Sequence, residues 1–305
     1  MSGLLSTGSS ALLAFQRALG TVGHNVANAA TPGYSRQRVE LASRPGQLTG
    51  AGFIGNGVDV AKLQRLADGL VFARQVDSSG EVGRLQQLSS MAGRVDSLLS
   101  DPATGLSAPW SSFFNAAKAV GVDPTSPVAR SQLLSAGEQL AGRWRALDGH
   151  LNSLEAETDQ RIQAKVGDAN QLASEIAALN RDIATSGGNA SPDLLDARAM
   201  RIDQLAALVG GETIAQDDGS LNVFTSGGQP MVLGNRAMAL TTVADPFRPE
   251  RLQVALQGTG GAVRLPPSTI AGEVGGLLEF RSRVLDPARA ELGRVATAFA
   301  ETFNA

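Results

Sequence analysis

The sequence of 305 residues has no cysteine, two histidines and a single tyrosine. The lack of thiols excludes disulfide staples, thiolate zinc sites and sulfur nucleophiles together. Two histidines leave little for any other transition-metal centre. Aromatic residues make up 4% of the chain, so its cores must be built from aliphatic side chains. The 35 glycines, joined by many alanines and serines, let backbones approach closely, which favours helix packed on helix. Long apolar runs are missing too: no stretch reaches the roughly 18 consecutive apolar residues of a membrane span. No basic residue precedes Arg17 and no compact apolar segment leads into a cleavage site, which argues against a cleavable secretory signal. Nor does one charge dominate. With 26 basic residues against 29 acidic, 43% hydrophobic and 18% charged, the chain is neither a disordered polyelectrolyte nor a nucleic-acid binder.

What is present is periodicity. Leu5, Leu12, Phe15, Leu19, Val22 and Val26 recur at intervals of seven, three and four residues, the narrow seam of a helix that meets one partner. Its other positions are Gly, Ser, Ala, Thr, Gln and Asn, which predicts little else to hold it in a core. Residues 1–34 read either as an ordinary amphipathic helix packed on its own domain or as a helix whose partner is missing, disordered in the monomer because its ordering entropy is uncompensated. Thr31-Pro32-Gly33 stops the helix, since Pro32 disfavours helical backbone before it and Gly33 accepts positive φ. Residues 35–66 read as an extended connector, with Val39 and Leu41, then Val58 and Val60, alternating as in strands.

Helical spacing returns over 67–211. Leu85, Leu88, Ala92, Val95 and Leu99 predict a helix over about Asp68–Ser100, and a shorter one covers Trp110–Val120. No proline interrupts Val128–Thr185, a predicted rod of about 80 Å. Ser191-Pro192-Asp193 starts a further helix to about Val209. Residues 212–270 read as short antiparallel strands, with an Asp217-Asp218-Gly219 turn suited to a hairpin. A last helix is expected beyond Gly275-Gly276, returning to the bundle over 271–305. The predicted fold is mainly α with a smaller β part: an elongated antiparallel bundle of long coiled-coil-like helices with short β hairpins.

Candidate chemistry is sparse. Gly50, Gly52 and Gly55 satisfy a dinucleotide-binding string, the only support for a nucleotide-dependent enzyme, but that motif needs a helix next and Val58-Asp59-Val60 follows. Glu155, Glu157 and Asp159 are read as a solvated helix surface rather than a convergent acid/base set. His24 and His150 have no carboxylate at i+4 to make a ligand face. Trp110 and Trp144 are read as core. Arg17, Arg36, Arg38 and Arg44 face only Glu40 within the first 50 residues, a basic end that self-assembly could use. No catalytic, cofactor or metal site is expected.

The run Ala27-Asn28-Ala29-Ala30-Thr31-Pro32-Gly33-Tyr34-Ser35-Arg36-Gln37 resembles the N-terminal signature of bacterial flagellar axial proteins. Gly55-Asn56-Gly57-Val58-Asp59-Val60, Asp123–Arg130, Asp193-Leu194-Leu195-Asp196-Ala197-Arg198 and Gly275–Arg281 extend the likeness in order along the chain, and resemble the hook-filament junction family of hook-associated proteins. The resemblance implies a non-enzymatic building block of the flagellum, exported by the flagellar type III apparatus and located outside the cell. It implies partners in further copies of itself, the hook protein and the second junction protein. In the family the N-terminal helix pairs with a C-terminal helix to line the axial tube, which implies an assembly interface at Leu5, Leu12, Phe15, Leu19, Val22, Val26, Asn28, Thr31, Pro32, Gly33 and Tyr34. Family members continue past Asn304 into a region that carries the partner helix and the export-chaperone site, so the chain resembles an N-terminal portion. A hook or rod protein is the alternative within the class.

Overall fold

The computed structural model describes residues 2–49, 52–102 and 104–304. Its first helix, α1 (Ser2–Ala27), leads into a two-stranded antiparallel ribbon of β1 (Gln37–Ser43) and β4 (Val58–Arg65), whose tip carries the smaller hairpin β2 (Gln47–Thr49) and β3 (Gly52–Ile54). The body follows as α2 (Gly69–Ser100), α3 (Ser107–Val122), α4 (Pro127–Thr185) and α5 (Pro192–Val209). The starts of α2, α4 and α5 are those the sequence marks, whereas α3 begins at Ser107, ahead of the expected Trp110. Asp68 Oδ1 accepts the Leu70 and Val71 amides at 2.8 and 3.2 Å, and Ser126 and Ser191 cap α4 and α5, each followed by proline.

The β part is two antiparallel meanders. One is β5 (Glu212–Ala215), β6 (Leu221–Phe224), β7 (Pro230–Leu233) and β8 (Arg236–Ala237); the other is β9 (Leu240–Ala244), β10 (Leu252–Gly258) and β11 (Gly261–Arg264). Asp217-Asp218-Gly219 does form the β5–β6 turn, with Gly219 at φ 82°. The chain passes from one sheet to the next between the two-residue β8 and β9.

The last helix departs from expectation at its start. It begins at Gly272 as α6 (Gly272–Phe280), passes through one π-helical turn (Arg281–Leu285) and continues as α7 (Asp286–Asn304). Gly275 and Gly276 lie inside it rather than before it. They mark close approach: a Cβ on Gly276 would stand 2.3 Å from the Arg84 carbonyl of α2, and one on Gly275 2.4 Å from the Ile270 carbonyl.

The 59 residues of α4 span about 88 Å at 1.5 Å per residue. The accessible surface is 17374 Å² for 31.4 kDa, against about 12,000 Å² for a compact monomer of that mass. The molecule is thus elongated and mainly helical. Its main core joins Met91, Leu151, Ile162, Ile176, Leu205 and Phe280 between α2, α4, α5 and α6. A separate aromatic cluster of Trp110, Phe113, Trp144 and Phe299 fastens α3 and the far end of α7 to α4, so both tryptophans do pack among apolar neighbours.

Candidate assembly interface

Helix α1 has two faces of different chemistry. Inward, Thr7, Ser10, Ala11, Ala14, Ala18, Thr21 and Asn25 recur every three or four residues and lie half-buried or buried against the ribbon. Small side chains suit this contact because the ribbon backbone comes very close: a Cβ on Gly57 would stand 2.2 Å from Ser10 Oγ, and Gly57 holds φ at 96°. Ser10 Oγ in turn accepts the Val58 amide at 3.2 Å. Outward stand all six seam residues: Leu5, Leu12, Phe15, Leu19, Val22 and Val26 are each 57–75% exposed. Within this single chain the seam stays open to solvent. The expectation that nothing else in the chain holds this helix is corrected, because the small-residue face supplies a seat that a search for apolar periodicity passes over.

The helix ends at Ala27, earlier than Thr31, because Asn28 turns back on it. The Asn28 side chain donates to the His24 carbonyl at 3.1 Å and accepts the Thr31 hydroxyl at 3.2 Å. Thr31-Pro32-Gly33-Tyr34 then form a β-turn with the Tyr34 amide on the Thr31 carbonyl at 3.2 Å and Gly33 at φ 77°, the positive φ that a type II turn needs at its third residue. Thr31, Pro32 and Gly33 are exposed, while Tyr34 is half-buried. Its hydroxyl donates to Asn25 Oδ1 at 2.8 Å, and its ring meets His24 edge-on at 5.4 Å. Burial, aided by Asp193 and Asp196, pushes the Tyr34 phenol above its ordinary pKa. The predicted residues therefore separate into an apolar seam and a turn that folds the chain back onto the ribbon.

Sequence reasoning missed the residues that fasten this end. Asn25 Oδ1 accepts the Gln37 amide at 2.8 Å while its Nδ2 donates to the Gln37 carbonyl at 2.9 Å. From the body, Asp196 accepts the Ser35 amide at 2.8 Å and Arg65 Nε at 2.6 Å, and Asp193 accepts Gln37 Nε2 at 3.0 Å. His24 lacks a carboxylate on its own helix yet lies 3.9 Å from Asp193. The Asp193–Arg198 run was visible as a motif, but nothing local in it shows a contact 131 residues or more away along the chain.

Three further readings are settled by the structure. Glu155 and Asp159 are not a solvated surface: four residues apart, they share one helix face, both are 7% exposed, and both pair with Arg281 of the π-helical turn. Arg251 bridges Glu155 at 2.8 Å and Asp286 at 2.6 Å. Burial pushes Asp159 above and Arg281 below their ordinary pKa values. Only Glu157, between them, faces outward, where Arg94 and then Arg161 hold its carboxyl down to about 2. Second, strand β4, not a helix, follows Gly52 and Gly55, so the helix N-terminus of a dinucleotide cradle is missing there; Gly50 lies outside the described residues. Third, the basic end is partly neutralised at home, since Arg44 pairs with Asp59 at 2.6 Å and Arg38 with Glu40 at 3.5 Å.

Helix α1 is thus seated on one face and displays an apolar seam on the other, on a mainly helical body with two small sheets. The flagellar hook-associated protein FlgK helical domain matches residues 92–305, and the flagella basal body rod protein pattern matches residues 5–34. The chain belongs to the flagellar hook-associated protein FlgK family. It is 34% identical over 314 aligned residues to flagellar hook-associated protein 1 of Escherichia coli and 36% identical over 315 to that of Salmonella typhimurium. In each case all of this chain is covered, with 57% and 56% of the relative, so the chain spans little more than half their length. The flagellar hook junction protein FlgK from Burkholderia pseudomallei superposes with a TM-score of 0.68 at 31% identity, over 78% of this chain and 43% of that one.

Proposed function

We propose that this chain is the tube-facing and helical part of a hook-filament junction protein, a mechanical building block outside the cell rather than an enzyme. The observation that carries the reading is the exposed seam from Leu5 to Val26 on a helix whose other face is occupied. Residues 1–34 act as the assembly helix, 35–66 as its connector, and the helical body with its two small sheets as the outer part. The seam pairs with a helix outside this chain, and copies so paired contact the hook protein on one side and the second junction protein on the other. Export by the flagellar type III system accords with a chain that has no disulfide to form and loses little by crossing unfolded.

Two features favour the junction reading over hook or rod protein. The match to the rod protein pattern stops at residue 34, and the long rod of α4 with the Asp193–Arg198 run lies in the hook-associated match. The test is complementation. The full-length protein with Leu12 and Leu19 both changed to serine, expressed in cells lacking their own junction protein, is expected to leave hooks without filaments, whereas the unaltered protein restores them. Restoration by both would remove the seam from the account. Electron microscopy of labelled protein on hook or rod, away from the hook-filament boundary, would favour the alternative.

A further inference from the structure

The contacts of α1 divide sharply. Within the N-terminal unit they are many and close: Ser10 to Val58, Asn25 to Gln37, Tyr34 to Asn25, and seven residue pairs of register between β1 and β4. Toward the body, the hydrogen bonds and ion pairs seen among the described residues end on two carboxylates of one helix, Asp193 and Asp196 in the first turns of α5. Asp196 grips both strands at the base of the ribbon, through the Ser35 amide just before β1 and through Arg65, the last residue of β4. It is 7% exposed. The covalent link, Leu66 to Asp68, is short. Apolar cover of the joint is slight: half-buried Met200 of α5 comes up against Gly33, while Leu63, Leu66, Leu70 and Val71 are 39–63% exposed.

We propose that α1 and the β1–β4 ribbon move as one rigid unit, latched to the bundle by Asp196 with Asp193 beside it, and pivoting about Leu66–Asp68 when the latch opens. A joint closed by apolar packing would resist opening in proportion to its buried area. One closed by two carboxylates has a few directional bonds, each of which water replaces when the faces part. The latch gives one preferred angle and lets the unit leave it without unfolding α1 or the ribbon. This is a property of the single chain, so its test stands apart from the assembly reading.

The absence of cysteine makes the experiment clean, because introduced thiols are the sole labelling sites. Spin labels at Ala61→Cys on β4 and Asn189→Cys beyond α4 report the joint, and labels at Gln16→Cys and Ala61→Cys report the unit itself. In the otherwise unaltered chain both distance distributions are expected to be narrow. With Asp196→Asn the joint distribution should broaden at least twofold while the distribution within the unit stays as it was. Asp193→Ala, which removes the exposed carboxylate that Gln37 Nε2 donates to, should broaden the joint by a smaller factor and serve if Asp196→Asn does not fold. A joint width that none of these changes alters overturns the latch. So does a starting distribution already as broad as that of the variants. Broadening within the unit to the same degree overturns its rigidity.

Discussion

Asn25 and Gln37 meet as two strands would: the Asn25 side-chain amide accepts the Gln37 N–H at 2.8 Å and donates to the Gln37 C=O at 2.9 Å. The same clasp recurs twice. Asn170 accepts the Leu240 amide and donates to its carbonyl, both at 2.8 Å, and Asn180 does so with Leu221 at 3.1 and 2.8 Å. Each partner is the first residue of its strand, in β1, β9 and β6. A helix presents no free backbone to a sheet along its length, so an asparagine side chain, carrying donor and acceptor together, is the group that can supply both halves of a strand pairing. Ribbon and sheets are all registered on helices in this way.

Replacing these asparagines should give graded losses. Asn180 is fully buried and also donates to the Gly234 carbonyl and accepts from Arg198. Asn180→Ala leaves several buried groups unsatisfied and should cost about 3–5 kcal/mol, lowering Tm by roughly 6–15 °C for a chain of this size. Asn25→Ala should cost about 1–2 kcal/mol and act locally. Hydrogen exchange is expected to accelerate in α1 and at the base of the ribbon without change in α4, and equal acceleration in both helices would contradict a local clasp.

Glycines at the α2 contacts set the helix spacing. A Cβ on Gly83 would stand 2.4 Å from the Ala207 carbonyl, whereas one on Gly93, in the same helix, meets nothing within 4 Å. Gly83→Ala should destabilise by about 1–3 kcal/mol through forced separation of packed backbones. Gly93→Ala should stabilise by up to about 1 kcal/mol through helix propensity. Denaturant midpoints of the two variants are expected on opposite sides of the parent, and a stabilising Gly83→Ala would mean that the α2 contact is looser than described.

These particulars show what was legible in the sequence. Helices α2, α4 and α5 could be read nearly to the residue because caps, prolines and apolar spacing agree locally. The seam of α1 was legible for the same reason. Its seat on the ribbon was not, since Ser10, Ala14 and Gly57 carry no apolar signal and their value lies in what their smallness lets approach. The carboxylates of Glu155 and Asp159 were misread because a charged pair on a long helix is ordinarily solvated, and the arginines that bury them, Arg251 and Arg281, are 96 or more residues away in sequence. Contacts of that separation leave no local periodicity to read.

Acid should release one defined tie between α2 and α4. Arg94 donates to both oxygens of Glu157, at 2.6 and 2.7 Å, and Arg161 adds a bond at 2.9 Å. With its folded pKa held at about 2, below an ordinary value of 4.5, Glu157 contributes stability above pH 4.5 that is lost as pH falls toward 2. The pair is partly solvated, Arg94 being 41% exposed, so the contribution is about 1 kcal/mol. Glu157→Gln should lower the urea midpoint at pH 7 and leave it unchanged near pH 2. A difference that persists at the acid end would show that the side chain acts through shape, not charge.

The two faces of α1 predict opposite phenotypes for substitutions a few residues apart. Leu12 and Leu19 are 61% and 71% exposed, so changing both to serine removes nothing from the monomer and should alter its stability by less than about 0.5 kcal/mol. Paired in an assembly, each would bury an apolar side chain for about 1.5–3 kcal/mol, so their joint loss should weaken each contact by two to four powers of ten. Ala14 lies on the inward face and is 3% exposed; Ala14→Leu overpacks the ribbon and should free α1 in the monomer while leaving the seam chemically intact. Thermal unfolding and hydrogen exchange on the isolated chain, set beside incorporation of the full-length protein into flagella, separate the two. A serine pair that melts the monomer, or an Ala14→Leu that leaves α1 exchange untouched, would mean that the seam and the seat have been assigned to the wrong faces.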